Sequence, residues 1–180
     1  MNPIFTLSYS EYKVAEKLKN SIKDSSIWFP ISAQEKGIDL LLYKRVNDTN
    51  KFVTIQVKSS RVYKSKKYNN YFWLNRFTPN PNADFFAIIG TYPDRIDNLE
   101  SFALKDIQWK DVLLIFTYQE ICELLKNSVT KKDGKPDKMW AFAFNDLQHI
   151  FIARGKNEGK EITSHLLNYK ISEIETFFNS

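Results

Sequence analysis

Ile38 to Tyr43 is apolar apart from Asp39, and after the turn-rich segment Val46-Asn47-Asp48-Thr49-Asn50 the stretch Lys51 to Lys58 resumes strand character. Asparagine and aspartate tolerate the left-handed backbone of tight turns, so the two stretches are expected to pair as an antiparallel hairpin. In the second stretch Val53, Ile55 and Val57 alternate with Thr54, Gln56 and Lys58. A period of two sends these sets to opposite faces, so Gln56 and Lys58 share one. Antiparallel pairing brings the start of the first strand, with Asp39, close to them. Polar groups clustered at one end of two apolar strands are costly unless they have a use.

The flanking sequence supplies further elements. Ser10 is placed to cap a helix from Glu11 to Ile22, in which Glu11, Ala15, Leu18 and Ile22 fall on one stripe at about 100° per residue. Glu11 then leans toward the core, and Glu16 points away. Ile27 to Ile31 is a short strand candidate, followed by the polar loop Ser32 to Gly37, whose glycine can take an unusual backbone angle. Tyr71 to Leu74, Phe85 to Thr91, Val112 to Thr117, Met139 to Phe144 and His149 to Ala153 are expected as strands, and Gln119 to Lys126, Ile162 to Tyr169 and Ser172 to Phe178 as helices. Lys131 to Lys138 is expected to be a solvated turn or loop. No internal repeat is evident.

A chain of 180 residues with 43% hydrophobic content can bury one substantial core, so residues 1–180 are expected to form a single domain. Its motif core spans about 10–92, with a C-terminal extension over about 112–180. The single Cys122 excludes an intramolecular disulfide, and with two scattered histidines it does not make a zinc site. The start lacks a secretory pattern and no stretch of about 18 apolar residues occurs, so a cytoplasmic protein without membrane insertion is expected. The net charge of +5 is a weak signal for an acidic partner, and its distribution says more. From Lys58 to Lys67 the run KSSRVYKSKK contains five basic residues and no acidic one, and aromatic residues follow. Arg61, Lys64, Lys66 and Lys67 suit phosphate contacts, and Tyr63, Tyr68, Tyr71 and Trp73 suit stacking on bases. A lysine-rich loop is equally often plain soluble surface, and Phe72 or Trp73 in a strand suits a core. His149 and His165 are expected to be structural.

Asp39, Gln56 and Lys58 make a chemically coherent set. Magnesium takes hard oxygen ligands, usually one or two carboxylates completed by phosphate and water. Asp39 offers a carboxylate, Gln56 an amide oxygen, and the carbonyl of Val57 a third oxygen. Lys58 can hold an attacking water or neutralise charge on a phosphate. Structural roles fit the same residues: Asp39 as a turn cap or ion pair with Lys58, Gln56 satisfying backbone groups, Lys58 as part of the charge run, and Glu11 capping its helix.

Over residues 10 to 92 the order of these features resembles the PD-(D/E)xK nuclease superfamily, which includes restriction endonucleases and archaeal Holliday junction resolvases. There a helix glutamate precedes a strand aspartate, and a hairpin leads to an acidic-x-lysine strand end. Glu11, Asp39 and Lys58 match those positions, while Gln56 stands where Asp or Glu is usual and Ile38 where proline is usual. Some members are similar in using a Gln amide oxygen.

The resemblance implies an α/β fold with a restriction-endonuclease-like three-layer α/β/α core around a central mixed sheet, extended by C-terminal strands and helices. It also implies Mg²⁺-dependent hydrolysis of DNA, with Mn²⁺ able to substitute. Asp39, Glu11, Gln56 and Val57 would lie at the metal and Lys58 would assist the water. A homodimer would suit double-strand cutting. The alternative is a catalytically inactive nucleic-acid-binding or assembly module on the same fold. Residues after about Phe116 carry no functional signature.

Overall fold

The structure is a computed structural model that describes residues 8–30, 37–65, 70–93, 109–126, 139–145 and 148–179, with residues 63–65, 70 and 93 described by their backbone only. Helix α1 (Tyr9–Ser21) leads into β1 (Ser25–Trp28), β2 (Leu40–Val46) and β3 (Thr49–Arg61). Asn47 and Asp48, both at positive φ, connect β2 to β3 through a two-residue turn with Val46 opposite Thr49. The expected hairpin is present, and its register runs from that turn to Leu40 opposite Ile55.

Strand β3 continues into β4 (Tyr63–Ser65), which pairs with β5 (Asn70–Arg76). The chain returns as β6 (Phe85–Pro93), parallel to β3, and β7 (Trp109–Thr117) closes the sheet antiparallel to β6. This gives one mixed sheet in the order β1-β2-β3-β6-β7. After α2 (Tyr118–Lys126), β8 (Met139–Phe144) and β9 (Ile150–Ile152) join β4 and β5 in a second sheet, ordered β4-β5-β8-β9. A 3-10 turn at Thr163–His165 precedes the last helix, α3 (Leu167–Asn179).

Two apolar cores lie on the two faces of the mixed sheet. On one, Val14, Leu18 and Ile22 of the α1 region and Ile174 and Phe178 of α3 pack on Leu40, Leu42, Val53, Ile55, Val57, Phe85, Ala87 and Ile89. On the other, Phe86, Ile88, Leu114 and Phe116 meet Trp73, Trp140, Phe142 and Phe144 of the second sheet, with Ile121 and Leu124 of α2. The architecture is therefore mixed α/β with helices against one face. The second face is covered by a four-stranded antiparallel sheet and the short α2, where the sequence suggested a helical layer. The reason lies in the link from β3 to β6. It carries β4 and β5, whose aromatic residues suit a pleated surface better than a crossover helix.

Other elements shift. Helix α1 begins at Tyr9 with Ser8 as its cap, in place of Ser10. The first strand is displaced toward the N-terminus, and Ile31 lies outside the described residues, as do 32–36 and 131–138. Ile162 to Tyr169 is divided into the 3-10 turn and the first turn of α3, which then runs through the expected second helix.

Candidate metal and phosphate site

Leu40 is the first residue of β2, and the Asp39 N–H still donates to the carbonyl of Ile55 at 2.9 Å. Asp39 lies just outside β2, beyond the Leu40–Ile55 pair, and its N–H bond to Ile55 departs from the ladder register, so it meets β3 from the edge rather than as a paired residue. The Asp39 carboxylate turns to the edge of β3 and accepts the Val57 N–H through Oδ2 at 2.6 Å. Because Ile55 hydrogen-bonds toward β2, alternation directs the N–H and C=O of Val57 to that same side. The Val57 carbonyl therefore flanks the carboxylate. Gly37 shapes the approach: its φ is +82°, and a Cβ there would lie 2.0 Å from Asn80 Nδ2, so both conformation and space require glycine.

Gln56 is 5% exposed and its Oε1 has no hydrogen-bond partner among the described residues. The buried donors Trp73 Nε1, Asn75 Nδ2 and Trp140 Nε1 are also unpartnered, while Asp111 Oδ1 is paired with Lys17 at 2.6 Å. Among the described residues, Gln56 Oε1 is thus the acceptor in this group with neither a hydrogen-bond donor nor an ion-pair partner. A buried polar atom left unpaired costs about 1–3 kcal/mol, a penalty that a bound cation would relieve.

Lys58, two residues along the same face, is half-buried, with its Nζ 5.9 Å from the centre of the Phe77 ring. Phe77 is itself stacked on Phe86 and Trp140, giving the ammonium a fixed apolar floor. Between Asp39 and Lys58, both described residues, there is no ion pair; each has a different contact.

Glu11 is engaged elsewhere. It is the third residue of α1 and forms a capping box with Ser8: the Glu11 N–H donates to Ser8 Oγ at 3.3 Å, and the Ser8 N–H to Glu11 Oε2 at 3.4 Å. No three His, Cys, Asp or Glu side chains among the described residues form a metal-ligating group. The structure thus brings the Asp39 carboxylate against the Val57 main chain, next to Gln56 in β3, while Glu11 is held in its cap.

Of the basic run, Arg61 is exposed at the end of β3 and Lys64 is described by backbone only in β4, while Lys66, Lys67 and Tyr68 lie outside the described residues. Trp73 is fully buried, and Tyr71 is stacked on Phe144, so both belong to the core. The exposed aromatic residues are elsewhere, among them Tyr9 and Trp109.

A second polar cluster escaped the sequence pattern because its members are separated by about fifty positions. Lys170 of α3 donates to Glu120 of α2 at 2.6 Å and to Glu173 at 2.5 Å, with its own side chain only 9% exposed. Burial pushes the Lys170 ammonium down, but the two carboxylates outweigh it and hold the pKa above the usual lysine value. For Glu120 burial acts upward, and the hydrogen bonds from Lys170 and the Thr117 N–H, with nearby positive charge, bring it below the usual carboxylate value. His165 lies on the Phe116 ring at 4.2 Å, and burial lowers its pKa. His149 is exposed, with Nδ1 3.7 Å from Glu161.

Comparison with protein-family models, curated proteins and solved structures gave no match. No helix among the described residues is long and apolar enough to cross a membrane.

Proposed function

We propose that the chain is a metal-dependent nuclease of the PD-(D/E)xK, restriction-endonuclease-like type, hydrolysing phosphodiester bonds of DNA at the edge of β3. The observation that carries this is the buried, unpartnered Gln56 Oε1, next in β3 to Val57, whose N–H holds the Asp39 carboxylate. The residues fit magnesium or manganese: a carboxylate, an amide oxygen and a main-chain carbonyl are hard oxygen donors, and Mg²⁺ leaves its other positions to water and phosphate. When bound, the metal would polarise the phosphate and lower the pKa of a water.

The remaining chemistry belongs to the chain. Asp39 is held by the Val57 N–H, so its free oxygen keeps a fixed direction. Lys58 can orient a water or neutralise charge gathering on the phosphate oxygens, and its apolar floor limits the ammonium's wandering. Glu11, whose Oε2 caps the helix, would take part at the metal only through its other oxygen or through water. Arg61, with Lys64, Lys66 and Lys67, would meet phosphates flanking the cut.

Purified protein incubated with plasmid and linear DNA is expected to cleave with Mg²⁺ or Mn²⁺ and to stop with chelator. Asp39→Ala and Lys58→Ala should each remove cleavage, and activity retained in both would refute the assignment. The occupied Glu11 and uncharged Gln56 favour a second reading, an inactive nucleic-acid-binding or assembly module. It is selected if neither metal binds while DNA binds with a steep salt dependence.

A further inference from the structure

Beyond the end of β2, no strand among the described residues pairs with β3 on that side. On the helical face of the sheet, the ends of β3 and β6, the start of β7 and the start of α1 border a wide-open cavity of about 770 Å³. Its lining combines the aromatic residues Tyr9 and Trp109 with Arg61 and the hydroxyl-bearing Ser59 and Thr91. Tyr9 is 63% and Trp109 50% exposed. Arg61 is opposite Thr91, and Thr91 opposite Asp111, so these side chains share the helical face of the sheet. Lys58 is on the other face, three residues and about 10 Å along the same strand.

We infer that this cavity is a seat for an unpaired nucleotide, which makes the preferred substrate single-stranded or frayed DNA; this rests on the nucleic-acid reading of the β3 edge. Each part of a nucleotide finds a matching group. The rings offer stacking surfaces, which a base can use only when its face is uncovered, as it is not inside a duplex. Arg61 and the hydroxyls suit phosphate and sugar oxygens. The nearby carboxylates are already committed, Asp111 to Lys17 and Glu11 to its cap. A strand crossing the edge of β3 at Val57 would pass from the Lys58 face to this cavity. Another open cavity among the described residues, about 520 Å³, carries Glu120, Glu161 and Glu173 against the single ammonium of Lys170, a poorer match for phosphate.

The test is binding without catalysis. In chelator, a fluorescent oligothymidylate and a blunt duplex of equal length are titrated with the full chain and with Trp109→Ala, Trp109→Phe and Arg61→Ala. The single strand is expected to bind more tightly than the duplex. Trp109→Ala should weaken it about 5- to 100-fold, the range of one lost base stack, with Trp109→Phe restoring most of the loss. Arg61→Ala should weaken it and flatten the salt dependence. Melting curves of the variants should match wild type, since both side chains are exposed. Equal affinity for the two DNAs, or Trp109→Ala binding like wild type, overturns the proposal. Loss of cleavage chemistry alone would defeat the nuclease reading and leave this binding pattern unchanged.

Discussion

A single amide oxygen decides whether the β3 edge is built for a ligand or for the fold. If Gln56 Oε1 is an unrelieved acceptor, replacing it by an apolar side chain of similar length should help the metal-free protein. Gln56→Met is therefore expected to raise the melting temperature in chelator by a few degrees, on the order of 1 kcal/mol, and to abolish any increase produced by Mn²⁺. Gln56→Glu should do the reverse, because a buried carboxylate costs several kcal/mol unless a cation joins it. Its melting temperature is expected to fall in chelator and recover with Mn²⁺ by a larger shift than wild type shows. Gly37→Ala should cost more than about 1 kcal/mol in urea denaturation, since the residue must adopt positive φ and its Cβ would collide with Asn80. Gln56 and Lys58 were legible in sequence because a period of two makes same-face residues visible. The Asp39 bond to the Val57 N–H was not, because it depends on β2 ending one residue short of Asp39, and strand ends are set by pairing rather than by apolar content.

The first helix shows how one element can serve stability and chemistry through the same side chain. Ser-x-x-Glu is a capping-box pattern, and Ser8-Tyr9-Ser10-Glu11 contains it, with Thr117-Tyr118-Gln119-Glu120 repeating it as Thr-x-x-Glu at α2. Both starts are therefore readable in the sequence, and the cap falls on Ser8, three residues before the glutamate, in place of the expected Ser10. Ser8→Ala is expected to cost about 1 kcal/mol, whereas Ser10→Ala should change stability much less. Glu11→Gln separates the two roles of that residue. Glutamine is accepted in a capping box, so thermal stability should stay near wild type. Any loss of metal-dependent cleavage then measures the carboxylate's part in chemistry, while unchanged cleavage assigns Glu11 to the cap alone.

At the scale of the whole molecule, the sequence signalled the mixed sheet but not what covers its second face. Phe86, Ile88 and Phe116 require an apolar partner, yet their side-chain pattern does not distinguish a helix from a sheet above them, and β5 meets β8 from more than sixty residues away. The same non-local assembly joins α2 to α3 through Lys170, and it gives stability a pH dependence in two windows. The folded His165 has a lowered pKa, so its contribution is present above the unfolded value of 6.5 and declines as pH falls through the folded value. The folded Glu120 is also lowered, so its contribution is present above 4.5 and is lost as pH falls through its folded value. Urea midpoints are therefore expected to be highest near neutral pH, to decline first below about 6.5 and again below about 4.5. Lys170→Met should weaken the second decline, because Glu120 then loses the donor that lowers its pKa, while His165→Phe should remove the first. A midpoint independent of pH between 7.5 and 4 would show that the cluster does not couple protonation to folding. The cavity beside this cluster lies apart from the β3 edge in its lining residues, so Lys170→Met is expected to leave single-strand binding at Trp109 and Arg61 unchanged even where it lowers acid stability.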